Sequence, residues 1–255
     1  MMSLPLMRYI LTAVMRDRVV QIMMVLMILG TSSAVFLGSA AIVEQQAFSI
    51  ASTGTVLRSL AVLGLVIFIS FFVRRTFESR EIDYLLATPL TRHKLLLSFS
   101  AAFILVAAVF AAMIALVILV LSRQFSEGWM IWSLSVLVEL SITSMVALFF
   151  SVVLKSATVS ALCSFGFYSL ARMLGAMIGI LATKFEGPVF LSRVVEWVVK
   201  VISAVTPRFD LLSQSSWLIY GHADGFAWWI LPVQFIVFCT LFFVCAAFDL
   251  RRSQF

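Results

Sequence analysis

Six long apolar runs constrain this chain more than any other feature of its sequence. A hydrocarbon core about 30 Å thick requires roughly 20 apolar residues in a helix, and each run meets that requirement. Lipid offers the backbone no hydrogen-bond partner, so each run is predicted to be an α-helix. The predicted spans are residues 19–42, 56–73, 96–121, 129–154, 156–182 and 226–248. The fourth and fifth nearly touch, which predicts a tight hairpin around Lys155.

The composition excludes an ordinary soluble domain. Of the 255 residues, 63% are hydrophobic and 12% are charged, whereas soluble domains have about 45–50% and 25%. The sequence therefore predicts an all-α polytopic membrane protein, with residues 1–255 forming one transmembrane domain. The net charge of +6 does not indicate nucleic-acid binding, because the cations lie between the apolar runs and form no stripe.

The distribution of cations predicts the orientation. With a cytoplasmic N-terminus, the inner side would hold Arg8, Arg16, Arg18, Arg74, Arg75, Arg80, Arg92, Lys94, Lys155, Arg251 and Arg252. The outer side would hold only Arg58, Arg123, Lys184, Arg193, Lys200 and Arg208. Positive charge is enriched on the cytoplasmic side of membrane proteins. We therefore expect a bacterial inner-membrane protein with both termini in the cytoplasm.

Two amphipathic segments flank the spans. Leu4–Asp17 has the helical periodicity of a segment lying along the inner membrane surface, or else forms an irregular start to the first span. Residues 190–205 form a second amphipathic pattern, predicted to lie flat on the outer surface before the last span. Its polar stripe includes Arg193, Glu196 and Lys200.

The segment between the second and third spans, residues 74–94, reads RRTFESREIDYLLATPLTRHK. It predicts a short apolar helix over Ile82–Ala87 that ends at Thr88-Pro89, because proline removes a backbone donor and restricts the preceding residue. Charged residues flank this helix on both sides. A protein partner is the natural place to bury its apolar face, although a solvated charged loop with two incidental leucines is the alternative.

With this segment in that loop, the chain resembles the permease subunits of the type-2 ABC exporter superfamily. The resemblance rests on Glu78 followed by the Leu-Leu-Ala-Thr-Pro-Leu-Thr-Arg motif of residues 85–92. Six spans and the two amphipathic segments are also similar to that family. The chain departs from the family pattern where a Gly-Thr-like pair is usual, because Arg80-Glu81 stand there.

The resemblance implies that residues 78–92 form a coupling helix that docks on a separate ABC ATP-binding subunit. The implied contact or shaping residues are Glu78, Glu81, Leu85, Leu86, Pro89 and Arg92. It also implies a second permease copy, identical or homologous, with ATP and Mg²⁺ bound on the partner subunits and a substrate path between the permeases. The expected substrate is a lipid or another amphipathic compound. Under this reading the outer amphipathic helix over residues 190–205 acts as a gate.

The sequence predicts neither an enzyme nor a cofactor on this chain itself. None of its four lysines follows a glycine, so it contains no P-loop for ATP. Its two histidines, His93 and His222, are far apart and form no metal-binding motif.

Two charges fall deep inside predicted spans, Glu139 in the fourth and Arg172 in the fifth. Each lies about ten residues from the outer end of its span, or ~15 Å deep, where a lone charge costs at least ~2.5–3.5 kcal/mol. The sequence leaves three interpretations of these two residues. They form a structural ion pair, they form a polar site that faces a dimer cavity, or they never meet. For a pair, exchanging the two charges should restore part of any lost function.

Two other classes of function also fit the sequence. One is a secondary transporter or channel that uses the Glu139–Arg172 pair as an ion relay and works without ATP. The other is a membrane assembly or signalling subunit that is coupled to an ATPase but transports nothing. Co-purification with an ATPase is expected of a permease but not of a secondary transporter or channel. Transport in reconstituted vesicles is expected of a permease but not of an assembly or signalling subunit.

Overall fold

The computed structural model describes residues 10–14, 16–39, 44–78, 92–182, 197–198, 201–202, 206–221 and 227–252. Every regular element in these ranges is helical. The elements are α1 (Arg18–Ser39), α2 (Gln45–Glu78), α3 (Arg92–Ser122), α4 (Glu127–Val153), α5 (Ala157–Ala182), a 3₁₀ turn (Phe209–Leu211), α6 (Ser216–Tyr220) and α7 (Ile230–Arg252).

Six helices, α1 to α5 and α7, are long and apolar enough to cross a membrane by length and composition. The predicted all-α architecture, with six helices able to span a membrane, is therefore confirmed in the described residues. The boundaries of α3, α4 and α5 fall within four residues of the predicted ones, and α7 begins and ends four residues later than predicted. This is the architecture of a polytopic helical membrane protein.

The prediction was wrong about the start of α2. The helix begins at Gln45, eleven residues before the predicted span. Its first three turns are rich in Ser and Thr, which lowered the apolar signal there. Two of these hydroxyls are satisfied within the helix, since Ser52 donates to the carbonyl of Phe48 and Thr55 to that of Ala51. The buried hydroxyl of Thr53 has no hydrogen-bond partner among the described residues. Because α2 begins earlier than predicted, Arg58, expected at the outer surface, lies inside the helical bundle with 6% of its surface exposed.

Helix α4 is the centre of the bundle. It packs against α2, α3, α5, α6 and α7. In its most apolar stretch 72% of the residues are buried within the protein, compared with 22% for α1, α5 and α7. Large apolar side chains on these outer helices remain exposed, as expected of surfaces that face lipid. The polar side chains in the middle of α4, from Ser135 to Ser144, are therefore buried within the protein.

The junction of α4 and α5 is a tight turn at Lys155, as predicted. The amide of Leu154 closes α4 by donating to the carbonyl of Phe150. The hydroxyl of Ser160, in the first turn of α5, donates to that same carbonyl at 3.1 Å. One backbone oxygen therefore joins the end of α4 to the start of α5, and the two helices run antiparallel.

Part of the predicted N-terminal amphipathic helix is described. Residues 10–14 are helical, with Ile10 and Val14 buried one turn apart and Thr12 exposed. Residues 1–9 and 15 of this stretch lie outside the described residues, so the orientation of the whole segment stays a prediction.

Candidate functional site

A largely irregular segment of the chain packs inside the bundle, against the half of α5 that leads to its end. This re-entrant segment, residues 206–221, contains the 3₁₀ turn and α6. Phe209 at its tip is fully buried, and its ring lies 5.5 Å from that of Tyr168. Tyr168 is fourteen residues from the end of α5, which is about 20 Å along the helix. Irregular backbone at such depth is tolerated only where protein surrounds it.

Two glycines allow the re-entrant segment to pack closely against α4 and α5. A Cβ atom on Gly128, in the first turn of α4, would lie 2.1 Å from the carbonyl oxygen of Trp217. A Cβ atom on Gly175 of α5 would lie 2.7 Å from the side chain of Asp210. Asp210 is itself held by an ion pair with Arg208 at 2.8 Å. The sequence therefore has no side chain at the two points where helices and segment meet most closely.

Glu139 of α4 lies at the centre of a buried charge cluster, which we define as Arg58, Glu139, Tyr168 and Arg172. The Glu139 side chain has no exposed surface. The Tyr168 hydroxyl donates to its Oε1 atom at 2.7 Å. The Nε atom of Arg58 lies 3.8 Å from Oε1, and the Nη1 atom of Arg172 lies 3.8 Å from Oε2. Helices α2, α4 and α5 thus meet at one carboxylate.

The two arginines of the charge cluster direct their hydrogen bonds to the re-entrant segment. Arg58 donates to the carbonyl of Ser213 at 2.7 Å. Arg172 donates from Nη1 to the carbonyls of Phe209 and Leu212 and from Nη2 to that of Ser213, the last at 3.4 Å. A guanidinium presents several donors in a fixed plane, so one side chain can hold several carbonyls. These bonds supply the partners that the irregular backbone lacks.

Ser213 is the point where the two arginines converge. Its backbone is left-handed, with φ of 52°, a conformation that costs a non-glycine residue about 1–2 kcal/mol. Its amide donates to the hydroxyl of Ser135 in α4 at 3.0 Å. Bonds to Ser135, Arg58 and Arg172 thus hold this turn in place and direct its carbonyl towards the guanidinium groups.

The charges in the cluster do not balance. Two guanidinium groups face one carboxylate, so the cluster carries one excess positive charge when all three are ionised. Within the described residues, Glu139 Oε2 and Arg58 Nε have no hydrogen-bond partner. The carbonyl dipoles of residues 209, 212 and 213 spread the excess charge. The arrangement is suited to clamping backbone at membrane depth, which needs fixed donors rather than a reactive group.

The structure brings Glu139 and Arg172 together, as one of the sequence interpretations held, but it also adds two residues that sequence reasoning missed. Arg58 was missed because it lies two residues from the start of the predicted second span and was counted among the cations of the outer surface. Tyr168 lies one helical turn before Arg172 on α5, and that spacing of four could have indicated a shared face.

The other predicted sites are only partly described. Glu78 is exposed and ends α2, where it pairs with Arg74 at 2.8 Å. Arg92 is the first residue of α3. The remaining predicted coupling residues, Glu81, Leu85, Leu86 and Pro89, lie outside the described residues. So do the three polar residues of the predicted outer gate helix, Arg193, Glu196 and Lys200. The docking and gating roles therefore stay predictions.

Comparison with known proteins found no family model that matches the chain and no curated protein that matches it.

Proposed function

We propose that this chain is the membrane-spanning permease subunit of an ATP-driven ABC exporter in the bacterial inner membrane. It would work with a separate ATP-binding subunit and a second permease copy. The expected cargo is a lipid or another amphipathic compound. The proposal combines the six-span architecture with the motif in residues 74–94.

The observation that carries the proposal is the charged helix end on either side of this motif. Beyond the predicted apolar spans, α2 continues through residues 74–78, and α3 begins at residue 92, four residues before its predicted span. At the end that leads into the motif, Arg75, Glu78, His93 and Lys94 are exposed. Two charged helical stalks therefore flank the Leu-Leu-x-x-Pro motif, an arrangement suited to presenting it to a partner in water.

The buried charge cluster supports a rigid-body mechanism. Hydrogen bonds and ion pairs at Glu139, Arg58 and Arg172 connect α2, α4, α5 and the re-entrant segment. A push on the stalk of α2 would then move these elements as one unit. Under the proposal, closure of the ATP-bound partner dimer moves the 74–94 segment, and this unit changes its tilt against the second permease to give alternating access.

The ion-relay alternative finds less support in the geometry. A relay carboxylate must meet water or the transported ion, yet the Glu139 side chain is fully buried. Tyr168 and the two arginines surround it, and both arginines also donate to carbonyls of the re-entrant segment. The cluster is better suited to a fixed structural role.

Affinity purification of the chain from its native membrane tests the proposal. The wild-type chain should bring down a polypeptide that contains a Gly-rich P-loop and hydrolyses ATP. The variant Leu85→Glu with Leu86→Glu should lose that partner, since charges replace the apolar face that would be buried on docking. The matched control is Gln45→Glu with Gln46→Glu, which adds the same charges at the exposed opposite end of α2 and should retain it. Retention by the Leu85/Leu86 variant would contradict the proposal.

A further inference from the structure

A cationic cavity lies between α2 and the start of α5, at the end of the bundle where α2 finishes. Its volume is about 580 Å³. The lining residues are Phe71, Arg74, Arg75, Glu78, Lys155, Ser156 and Ala157. The cavity is thus built from one helix end and the α4–α5 turn, which the packing of α2 on α5 brings together.

The charges in this cavity leave an excess that can bind an anion. Arg74 is neutralised by its ion pair with Glu78. Arg75 and Lys155 are exposed and have no salt-bridge partner among the described residues. Helix α5 begins beside them at Ala157, and the free backbone amides at a helix start add partial positive charge. The cavity therefore offers two cations and a helix N-terminus to a negative group.

The position of the cavity relative to the membrane narrows the choice of anion. Phe71 is one helical turn before Arg75, so the two side chains lie on the same face of α2. The Phe71 side chain is 49% exposed and belongs to the apolar part of the helix, whereas Arg75 begins its charged end. This face therefore presents an aromatic ring at the level of acyl chains and a cation at the level of lipid headgroups.

We propose that this cavity binds the headgroup of an anionic phospholipid. Arg75, Lys155 and the start of α5 would hold the phosphate, and Phe71 would contact the acyl chains. Basic pockets between transmembrane helices are suited to such headgroups. Inorganic phosphate shares the headgroup chemistry but gives Phe71 nothing to contact, so the cavity is assigned to the lipid. This inference does not depend on the ATP-driven function.

Native mass spectrometry of the full chain, released from nanodiscs with equal phosphatidylglycerol and phosphatidylcholine, tests the site. The wild-type chain should retain phosphatidylglycerol preferentially. Each cation near a membrane surface contributes roughly a five-fold gain in binding, so Arg75→Ala with Lys155→Ala should lower retention about 30-fold. The matched control is Arg18→Ala with Lys94→Ala, which removes two exposed cations at the same end of the bundle. Equal losses in the two variants, or no loss in the first, would overturn the site.

A second measurement uses the wild-type chain and so does not depend on how the variants fold. Acylation of Lys155 by an amine-reactive reagent is followed by peptide mass spectrometry, with Lys94 as the internal control. Phosphatidylglycerol vesicles should slow the labelling of Lys155 several-fold relative to phosphatidylcholine vesicles, with little change at Lys94. Equal protection by inorganic phosphate in phosphatidylcholine vesicles would contradict the lipid assignment, and so would equal labelling in the two lipids. Neither assay contains an ATP-binding subunit, so failure here is distinct from failure of the proposed function.

Discussion

The guanidinium of Arg58 in α2 donates a 2.7 Å hydrogen bond to the carbonyl of Ser213, a residue 155 positions further along the chain. Arg172 of α5 donates to the same oxygen at 3.4 Å. One backbone carbonyl therefore connects two helices and the re-entrant segment. Removal of Arg172 leaves the carbonyl of Leu212 without its donor, and removal of Arg58 takes the shorter of two hydrogen bonds from the carbonyl of Ser213. Losing such bonds is costly in an apolar surrounding.

The first prediction concerns Glu139. Glu139→Gln removes the only carboxylate of the charge cluster and leaves Arg58 and Arg172 facing each other uncompensated. Breaking a buried ion pair on one side typically costs about 3–5 kcal/mol, so we expect a clearly lower midpoint of thermal unfolding in detergent. The exposed carboxylate Glu44 provides the control, because Glu44→Gln should leave that midpoint unchanged. Similar midpoints for the two variants would contradict the role of Glu139.

The structure also changes the expectation for the charge exchange Glu139→Arg with Arg172→Glu. From sequence alone a simple pair should tolerate the exchange. In the structure, however, a new arginine at position 139 would lie beside Arg58, and the carbonyls of Phe209 and Leu212 would lose their donor. We therefore expect the double variant to be at least as unstable as Glu139→Gln, measured by the same unfolding assay. Recovery to near wild-type stability would show that Arg58 and the carbonyls contribute little.

The third prediction concerns the hydroxyl of Tyr168. Tyr168→Phe deletes the 2.7 Å hydrogen bond to Glu139 and keeps the aromatic ring beside Phe209. A hydrogen bond to a charged group contributes about 1.5–3 kcal/mol, and we expect a loss of that order. Tyr220→Phe is the matched control, since Tyr220 is 76% exposed. If both variants unfold at the wild-type temperature, the phenol–carboxylate bond has no stabilising role.

The fourth prediction uses glycines. Gly128→Ala places a methyl group about 2.1 Å from the carbonyl oxygen of Trp217, so α6 must shift away from α4. The rate of hydrogen exchange of the amides in residues 206–221 should then rise, because the re-entrant segment packs less closely against α4. Gly166→Ala is the control, since nothing lies within 4 Å of its added Cβ atom. That change should be neutral or stabilise α5 by up to ~1 kcal/mol. Unchanged exchange in Gly128→Ala would argue against the close contact.

Hydropathy predicted the number of spans because lipid imposes one condition on every run, that of about 20 apolar residues in helical form. It did not predict the first eleven residues of α2, because their Ser, Thr and Gln side chains lower the mean hydropathy there. The position of Arg58 followed from that missed start.

The charge cluster was predictable only in part. Equal depth and opposite charge predicted that Glu139 and Arg172 could pair. No sequence feature near Arg172 indicated that carbonyls of residues 209–213 would accept its hydrogen bonds. Such bonds join residues about 40 positions apart, and they depend on the path of the re-entrant segment through the bundle. Periodicity reports the faces of single helices and carries no information about that path.

The most direct test measures the labelling of a cysteine at position 86 from each side of the membrane. The variant is Leu86→Cys in a chain whose three native cysteines are replaced by alanine. A membrane-impermeant maleimide should not label it in intact cells. In inside-out vesicles stripped of peripheral proteins, the maleimide should label the cysteine at position 86, and added ATP-binding subunit should then protect that cysteine. The control is a cysteine at the exposed Phe125. This control cysteine should be labelled in intact cells and should not be protected by the ATP-binding subunit. Two results would contradict the proposal that an ATP-binding subunit binds residues 78–92 from the cytoplasm. One is labelling of position 86 from the outside, and the other is full labelling in vesicles that are actively transporting.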